Sequence, residues 1–223
     1  MKVSVMVPTF NRKGILVECI DSIRAQTHED LEICIYDDGS SDGTEEIVRA
    51  IPDKRITFKR CAENHGLGYA RNRLREMTTT DFIANHDDDD LSHPQRIELE
   101  LQAMLEHEAI WVACTRYNIR PGETPEWPMF NRVPPLAKTR ENAITSSILM
   151  RKAYCLPMNN EGREQDLLWI HRMWRQYGRP LLVLEAPLYG MRYGMPDAMM
   201  ERRRGMEGCY SKKIEGPMPN DQQ

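Results

Sequence analysis

The chain has 223 residues, with 30 lysines and arginines against 34 aspartates and glutamates, and a formal net charge of -4. This length suits one substantial core and is too short for two large domains. The lack of a basic excess argues against stable nucleic-acid binding.

The six cysteines are scattered without a Cys-x-x-Cys pair. Several of them lie in apolar segments, where a free thiol packs as a small hydrophobe, so we expect reduced thiols. The N-terminal apolar run is too short for a signal peptide, and no stretch approaches the ~20 apolar residues that span a bilayer. These features predict a cytoplasmic protein.

The first half alternates short apolar segments with amphipathic ones. Strands are predicted at 3–7, 31–36, 55–58, 81–85 and 109–114, and amphipathic helices separate most of them. The helix before the last of these strands is expected to begin near Pro94. This alternation predicts an α/β protein with a largely parallel, doubly wound sheet.

The character of the sequence changes at Arg116, because the stretch 116–142 contains five prolines and no clear periodicity. This composition predicts a long irregular loop. A strand is then expected at 146–150, an amphipathic helix around 167–177 and a strand at 181–185. Residues 1–204 are predicted to form one domain, and 205–223 a loosely ordered tail.

Two polar motifs follow predicted strands, where open parallel sheets bind their ligands. In "PTFNR" (8–12), Asn11 either caps a helix or helps a helix N-terminus to meet a phosphate. In "YDDGSSDGT" (36–44), Ser41 or Asp42 can cap the next helix. Asp37 or Asp38 can accept hydrogen bonds from a base or a ribose.

The third motif is "NHDDDD", with four carboxylates after an apolar strand. One interpretation is a solvated acidic turn before a helix that Ser92 caps. The other is a site for Mg²⁺ or Mn²⁺, which take carboxylate oxygens together with substrate phosphates. Asp87 and Asp89 are separated by one residue and can lie on the same side of the chain. The position of the run, beside the two earlier motifs, favours the metal site.

Taken in order, "VSVMVPTFNR", "QTHEDLEICIYDDGSSDGT", "NHGLGYARN" and "DFIANHDDDDLSHPQR" resemble the successive signatures of the inverting family 2 glycosyltransferases. The resemblance covers 1–115 closely and 145–185 loosely. It implies a GT-A fold with a Rossmann-like nucleotide-binding sheet. Residues 1–115 would be the half that binds the nucleotide sugar, and 116–204 a smaller half for the acceptor and the catalytic base.

The resemblance also implies site residues. The expected nucleotide-binding residues are Pro8, Thr9, Asn11, Arg12, Asp37, Asp38, Asn64, Gly66, Arg71, Asp87 and Asp88. Asp38 stands where relatives commonly meet a uracil. Asp89 and Asp87 are the expected ligands of a Mn²⁺ or Mg²⁺ ion, and alignment on Pro94 favours Asp88 with Asp89 instead.

The segment "EGREQDLLW" resembles the acidic catalytic motif of the family, with Glu164 in the position of the base and Asp166 as the second candidate. The alternative for both is stabilisation of a helix N-terminus. Arg163 departs from the family, which usually has an acid there.

The resemblance therefore implies a metal-dependent inverting transferase with a nucleotide diphosphate sugar as donor, expected to be UDP-linked. A glycan, a lipid carrier, a protein or a nucleobase could be the acceptor. The rival functions are a degenerate nucleotide-sugar-binding protein and, with less support, a nucleotidyltransferase. The basic Met-rich segment 195–206 could contact an acidic membrane surface, although ordinary packing explains it as well.

Overall fold

The structure is a computed structural model that describes residues 1–120, 122–137, 145–159, 165–178 and 181–192. Two short 3₁₀ turns, Thr145–Ser147 and Lys152–Tyr154, flank the seventh strand. The strands and helices follow in chain order: β1 (Val3–Thr9), α1 (Leu16–Arg24), β2 (Leu31–Asp37), α2 (Thr44–Arg49), β3 (Ile56–Arg60), α3 (Leu67–Met77), β4 (Phe82–Asn85), β5 (Leu91–Ser92), α4 (Arg96–Glu106), β6 (Trp111–Ile119), β7 (Leu149–Arg151), α5 (Gln165–Tyr177) and β8 (Leu182–Arg192).

The strands form one sheet in the order β3-β2-β1-β4-β7-β6-β8-β5. β1 pairs in parallel with both β2 and β4, and β2 pairs in parallel with β3. β6 and β8 are also parallel to each other, whereas β7 opposes β4 and β6, and β5 opposes β8. The sheet is therefore mostly parallel, which confirms the predicted α/β fold class.

Helices cover both faces of the sheet. Val5 and Val7 of β1 pack with α1 and α4 on one face, and Met6 packs with α3 and α5 on the other. Because both faces are covered, β1 and β2 are buried along their whole length, as is usual for parallel strands. The carboxyl edge of these strands is left as the place where polar side chains can meet a ligand.

Several predicted boundaries are wrong. The strand expected at 146–150 begins only at Leu149, after a 3₁₀ turn, and the strand expected at 181–185 extends to Arg192. The loop expected from Arg116 begins later, because β6 continues to Ile119 and pairs with the long strand β8. Ser92 does not cap the next helix, since α4 begins at Arg96 and has no side-chain cap. Ser92 lies in β5 instead, and its hydroxyl accepts a hydrogen bond from Arg96 Nη1 at 3.1 Å.

Several predictions concern residues outside the described ranges. They include the tail 205–223, the whole of the basic segment 195–206, and Glu164. Among the helices that the structure describes, none is both long enough and apolar enough to cross a bilayer.

Candidate functional site

Three turns meet at one edge of the sheet, where β1, β2 and β4 end. The backbone N–H of Asp38 donates to the carbonyl oxygen of Thr9 at 2.9 Å, and that of His86 donates to the carbonyl oxygen of Met6 at 3.0 Å. The three polar motifs are thus neighbours in space, because the parallel strands that precede them all end at the same edge.

The first turn links β1 to the second turn. Pro8 and Thr9 are the last two residues of β1 and are buried. Asn11 has a φ of 54°; its Oδ1 accepts a hydrogen bond from the N–H of Ser41 at 2.9 Å, and its own N–H donates to Ser40 Oγ at 2.8 Å. Asn11 therefore fastens the two turns together, whereas α1 has no side-chain cap.

The two adjacent aspartates at the end of β2 point in different directions. Asp37 is fully buried, and one of its carboxylate oxygens accepts hydrogen bonds from the N–H and the hydroxyl of Ser40, at 2.9 and 2.6 Å. Its other oxygen lies 3.5 Å from Arg60 Nε. These contacts hold the turn together and leave Asp38 as the aspartate that faces the loop before α3.

Asp38 is held by the loop that opens α3. Its carboxylate accepts hydrogen bonds from the backbone N–H groups of His65 at 3.0 Å and Gly66 at 2.6 Å. The Cys61 thiol sulfur lies 3.4 Å from Asp38 Oδ1. The Asn64 side chain donates to the backbone oxygen of Asp38 at 3.2 Å. Of the predicted nucleotide-binding residues in this loop, Gly66 therefore orients the Asp38 carboxylate, and Asn64 holds the Asp38 backbone.

Burial alternates along the acidic run. The side chains of Asp87 and Asp89 are 33% and 30% exposed, whereas that of Asp88 is 12% exposed. Asp90 is buried as well. Two carboxylates separated by one residue are thus the accessible ones, which favours the register in which Asp87 and Asp89 are the candidate ligands.

Two arginines from other elements approach the run. Arg12 Nε lies 3.3 Å from Asp88 Oδ1, and Arg12 Nη2 lies 3.6 Å from Asp89 Oδ2. Arg71 of α3 is buried, and its Nη2 lies 2.9 Å from Asp87 Oδ1. Both arginines were predicted to bind the nucleotide. Both contact the acidic run and tie the first turn and α3 to it.

Sequence reasoning missed two residues that hold the run in place. The Ser146 hydroxyl donates to Asp87 Oδ2. The Tyr189 hydroxyl accepts the N–H of Asp87 at 2.9 Å and hydrogen bonds to the Asp90 carboxyl group. These partners are 59 and 102 residues away from Asp87 along the chain. A serine in a predicted strand and a tyrosine beyond the strand predicted at 181–185 give no sequence signal for such a role.

The acidic run holds more negative charge than its surroundings balance. Burial, followed by repulsion from Asp89, raises the pKa of Asp88 to about 7. The same two causes raise the pKa of Asp90. A divalent cation beside these groups would lower both pKa values. Asp89 offers a partly exposed carboxylate of the kind that hard cations prefer, so the residues present fit a Mg²⁺ or Mn²⁺ ion.

The predicted catalytic residues lie at the start of the last helix. Glu164 is outside the described residues, and Asp166 is the second residue of α5, with a side chain that is not described. Trp169 of the same helix donates from Nε1 to the carbonyl oxygen of Leu156 at 2.6 Å. α5 also packs against the 3₁₀ turn that contains Ser146, which places the helix close to the acidic run.

The sequence motifs can now be compared with known families. The family model described as "Glycosyl transferase family 2" matches residues 4–162. The chain belongs to this family. The match includes the three turns and the acidic run, and it ends just before the predicted catalytic acids.

Relatives in the family are similar over about half of this chain. An uncharacterized glycosyltransferase of Rickettsia felis is 39% identical over 111 residues, which are 49% of this chain and 18% of the relative. Chondroitin synthase of Pasteurella multocida is 32% identical over 58% of this chain and 14% of the synthase. Glycosyltransferase GlyG of Streptococcus pneumoniae is 33% identical over 52% of this chain and 39% of GlyG. The chain thus spans less than half the length of each.

Solved structures confirm the fold. S. aureus TarS 1–349, in complex with UDP-GlcNAc, superposes with a TM-score of 0.74 at 21% identity, over 90% of this chain and 61% of that one. The mannosyltransferase PcManGT of Pyrobaculum calidifontis, in complex with GDP-Man and Mn²⁺, gives a TM-score of 0.70 at 16% identity, over 91% and 60%. The sheet described above is therefore a GT-A sheet.

Proposed function

We propose that this protein transfers a sugar from a nucleotide diphosphate sugar to a hydroxyl acceptor, with inversion at the anomeric carbon. The observation that supports it most is the arrangement at the sheet edge. A partly exposed Asp89 lies beside Arg12, and Asp38 is held at the end of the neighbouring strand. A base-binding carboxylate and a cation-binding carboxylate on one edge suit a nucleotide diphosphate.

In this proposal, Asp38 accepts a hydrogen bond from the nucleobase. An ionised carboxylate has about four lone-pair positions. The N–H groups of His65 and Gly66 and the Cys61 thiol occupy three of them. One position is left for a base N–H, which suits a uracil. The UDP-GlcNAc bound by TarS supports a UDP-linked donor. The GDP-Man bound by PcManGT shows that a protein with a similar fold accepts a nucleotide with another base.

The other residues predicted to bind the nucleotide sugar have different roles in this proposal. Pro8, Thr9 and Asn11 form the floor of the base and ribose site, where Asn11 holds the first two turns together. Asp87 is assigned to the ribose or to a second ligand position. Its shorter contact with Arg71 and its hydrogen bond from Ser146 make it a weaker ligand than Asp89, which lies 3.6 Å from Arg12.

Asp89 would hold a divalent ion, Mn²⁺ or Mg²⁺, and such an ion would supply stabilisation of the negative charge that builds on the leaving diphosphate. The PcManGT structure with Mn²⁺ supports this choice of cofactor. The guanidinium of Arg12 contacts both Asp88 and Asp89. Asp88, the more buried of the two, is assigned to support the turn, and the partly exposed Asp89 is assigned to the ion.

The acceptor oxygen needs a base on the opposite face of the sugar. We assign this role to Glu164, with Asp166 as second candidate, both near the start of α5. The acceptor hydroxyl loses its proton to the carboxylate, the new bond forms at the anomeric carbon, and the bond to the diphosphate breaks in the same displacement, as in inverting glycoside hydrolysis. Acceptor recognition is assigned to 116–204, and donor recognition to 1–115.

The test is a panel of nucleotide sugars with Mn²⁺, in which donor hydrolysis and metal-dependent thermal stabilisation are measured. General base catalysis contributes typically about 10²–10⁴-fold, so Glu164→Gln should lower turnover by about that factor while donor binding persists. Near-normal turnover in Glu164→Gln, with none in Asp166→Asn, would transfer the role to Asp166. Binding of a donor without any hydrolysis or transfer would favour the degenerate binding protein, for which Arg163 is the sequence argument.

A further inference from the structure

Three side chains of different chemistry converge next to the acidic run but outside it. The sulfur of Cys61, Nδ1 of His65 and a carboxylate oxygen of Asp38 all lie within 4.8 Å of one another. Cys61 Sγ is 3.4 Å from Asp38 Oδ1 and 3.8 Å from His65 Nδ1, and His65 Nδ1 is 3.8 Å from Asp38 Oδ1. Within the described part of the chain, these three side chains form a group whose spacing is that of metal ligands.

A backbone oxygen completes the set. The carbonyl oxygen of Glu63 lies 3.0 Å from Cys61 Sγ and 2.8 Å from His65 Nδ1. Tetrahedral zinc, with bonds of about 2.3 Å to sulfur and about 2.0–2.2 Å to nitrogen and oxygen, separates its ligand atoms by roughly 3.3–3.6 Å. The three side-chain distances are therefore within a few tenths of an ångström of what one ion requires, and the two distances to the Glu63 oxygen would lengthen by roughly half an ångström when the ion binds.

The fold holds the loop that supplies these atoms against the end of β2. Gly39 has a φ of +87°, and a Cβ atom on it would lie 2.8 Å from the carbonyl carbon of Glu63, so glycine permits the close approach. The N–H of Cys61 donates to the carbonyl oxygen of Asp37 at 3.0 Å. The His65 ring stacks on Tyr69, with the ring centroids 4.5 Å apart. The site is built from ordered contacts and is reachable from solvent, because Cys61 is partly exposed and the His65 side chain is 43% exposed.

We propose that Asp38, Cys61 and His65, with the carbonyl oxygen of Glu63, bind a Zn²⁺ ion. A thiolate and an imidazole select zinc over magnesium, whereas the all-oxygen surroundings of Asp89 favour the hard ions. The ligand atoms, rather than the distance between the two sites, therefore determine which cation each site binds. On binding, the Cys61 thiol releases its proton to solvent, and His65 adopts the tautomer with its proton on Nε2, which frees Nδ1 from its hydrogen bond to the Glu63 carbonyl oxygen.

This site has a consequence that rests on the proposed function. Asp38 is the carboxylate assigned to the nucleobase, and a zinc ion on it would draw negative charge away from the oxygen that accepts a base N–H. Zinc should therefore weaken binding of the nucleotide donor. The cluster would make donor binding sensitive to free zinc, while Mn²⁺ or Mg²⁺ acts at a separate place.

Zinc binding is tested first, without any nucleotide. The purified chain is titrated with Zn²⁺ against a chromogenic chelator, and with Co²⁺, whose visible spectrum reports a tetrahedral thiolate site. Wild type should bind one equivalent, and Cys61→Ser and His65→Ala should each lose it. Cys209→Ser controls for adventitious thiol binding and should retain it. Urea unfolding confirms that each variant is folded. Zinc binding that persists in both Cys61→Ser and His65→Ala, or an absence of zinc binding in wild type, overturns the proposal.

Competition is tested separately, with UDP as the probe at a fixed Mg²⁺ concentration. Zinc at ten times its dissociation constant should weaken UDP binding by up to about tenfold in wild type. In His65→Ala, the UDP affinity measured without zinc is the reference, and zinc should leave it unchanged, which controls for zinc complexed by free UDP. If zinc binds to wild type but leaves its UDP affinity unchanged, the coupling between zinc and the donor is refuted. If zinc binds and UDP does not bind at all, the zinc site stands and the proposed donor function fails.

Discussion

Replacing Tyr189 by phenylalanine tests whether the acidic run is held from the far end of the chain. Tyr189 is fully buried, so the change keeps the packed ring and removes only the hydroxyl. The N–H of Asp87 loses its acceptor at 2.9 Å, and the Asp90 carboxyl loses a hydrogen bond. A partly buried polar group left without its partner costs about 1–3 kcal/mol, and we expect a loss of about 2 kcal/mol in the free energy of unfolding.

Urea unfolding measures this loss directly, and for a domain of this size it corresponds to a Tm lower by roughly 4–8 °C. Tyr117→Phe is the matched control, because the Tyr117 hydroxyl donates to Glu123 in an exposed pair and its removal should cost under about 0.5 kcal/mol. The stabilisation by Mn²⁺ with a nucleotide sugar should also shrink in Tyr189→Phe. Equal stabilities of the two variants would refute the role given to Tyr189.

Three further predictions concern the surroundings of the site. Arg96→Met should lower the free energy of unfolding by about 3–5 kcal/mol in urea, because it leaves the buried Glu100 carboxylate, 3.3 Å away, without its partner. Arg49→Met is the control; it removes an exposed ion pair and should cost under about 1 kcal/mol. Equal costs for the two substitutions would contradict this account. Gly39→Ala should lower the free energy of unfolding by about 1–3 kcal/mol, because alanine is strained at a φ of +87°. It should also weaken UDP binding measured by calorimetry. Unchanged stability and UDP affinity would show that the loop adapts to the added methyl group. The pKa of Asp88 is raised from 3.8 to about 7, so the folded state binds the proton more tightly than the unfolded chain. Its contribution to stability therefore falls as the pH rises from about 4 to about 7. In EDTA, Asp88→Asn should flatten this dependence in thermal unfolding, and an unaltered slope would exclude Asp88 as its source.

The sequence was sufficient for the parallel strands and for the place where their polar ends meet. β1 and β2 are buried on both faces, so their apolar runs are unbroken, and the turns after them contain the polar residues. The alternation of burial within the acidic run was only half predictable. The spacing allowed Asp87 and Asp89 to lie on the same side of the chain. The contact between Arg12 and Asp88 involves a residue that follows a different strand, so it could be found only in the structure.

The remaining differences have a common physical reason, which is pairing between distant segments. β6 reaches Ile119 because β8 offers it a neighbour, although residues 116–119 have little apolar character. Ser92 failed as a cap because its short strand pairs with Tyr189 and Gly190 of β8. The same pairing brings the Tyr189 hydroxyl to Asp87, and no local pattern in the sequence encodes it.

The central claim is that the sheet edge binds a nucleotide diphosphate sugar through a divalent ion at Asp89. The most direct measurement is the Tm of the purified chain with UDP-GlcNAc and other nucleotide sugars, each with and without Mn²⁺. Asp21→Asn, a substitution at an exposed position of α1, is the control for Asp89→Asn. We predict that at least one donor and Mn²⁺ together raise the Tm of wild type and Asp21→Asn more than the sum of their separate effects, and that this synergy disappears in Asp89→Asn. A panel without any metal-dependent response, or an undiminished synergy in Asp89→Asn, would contradict the account.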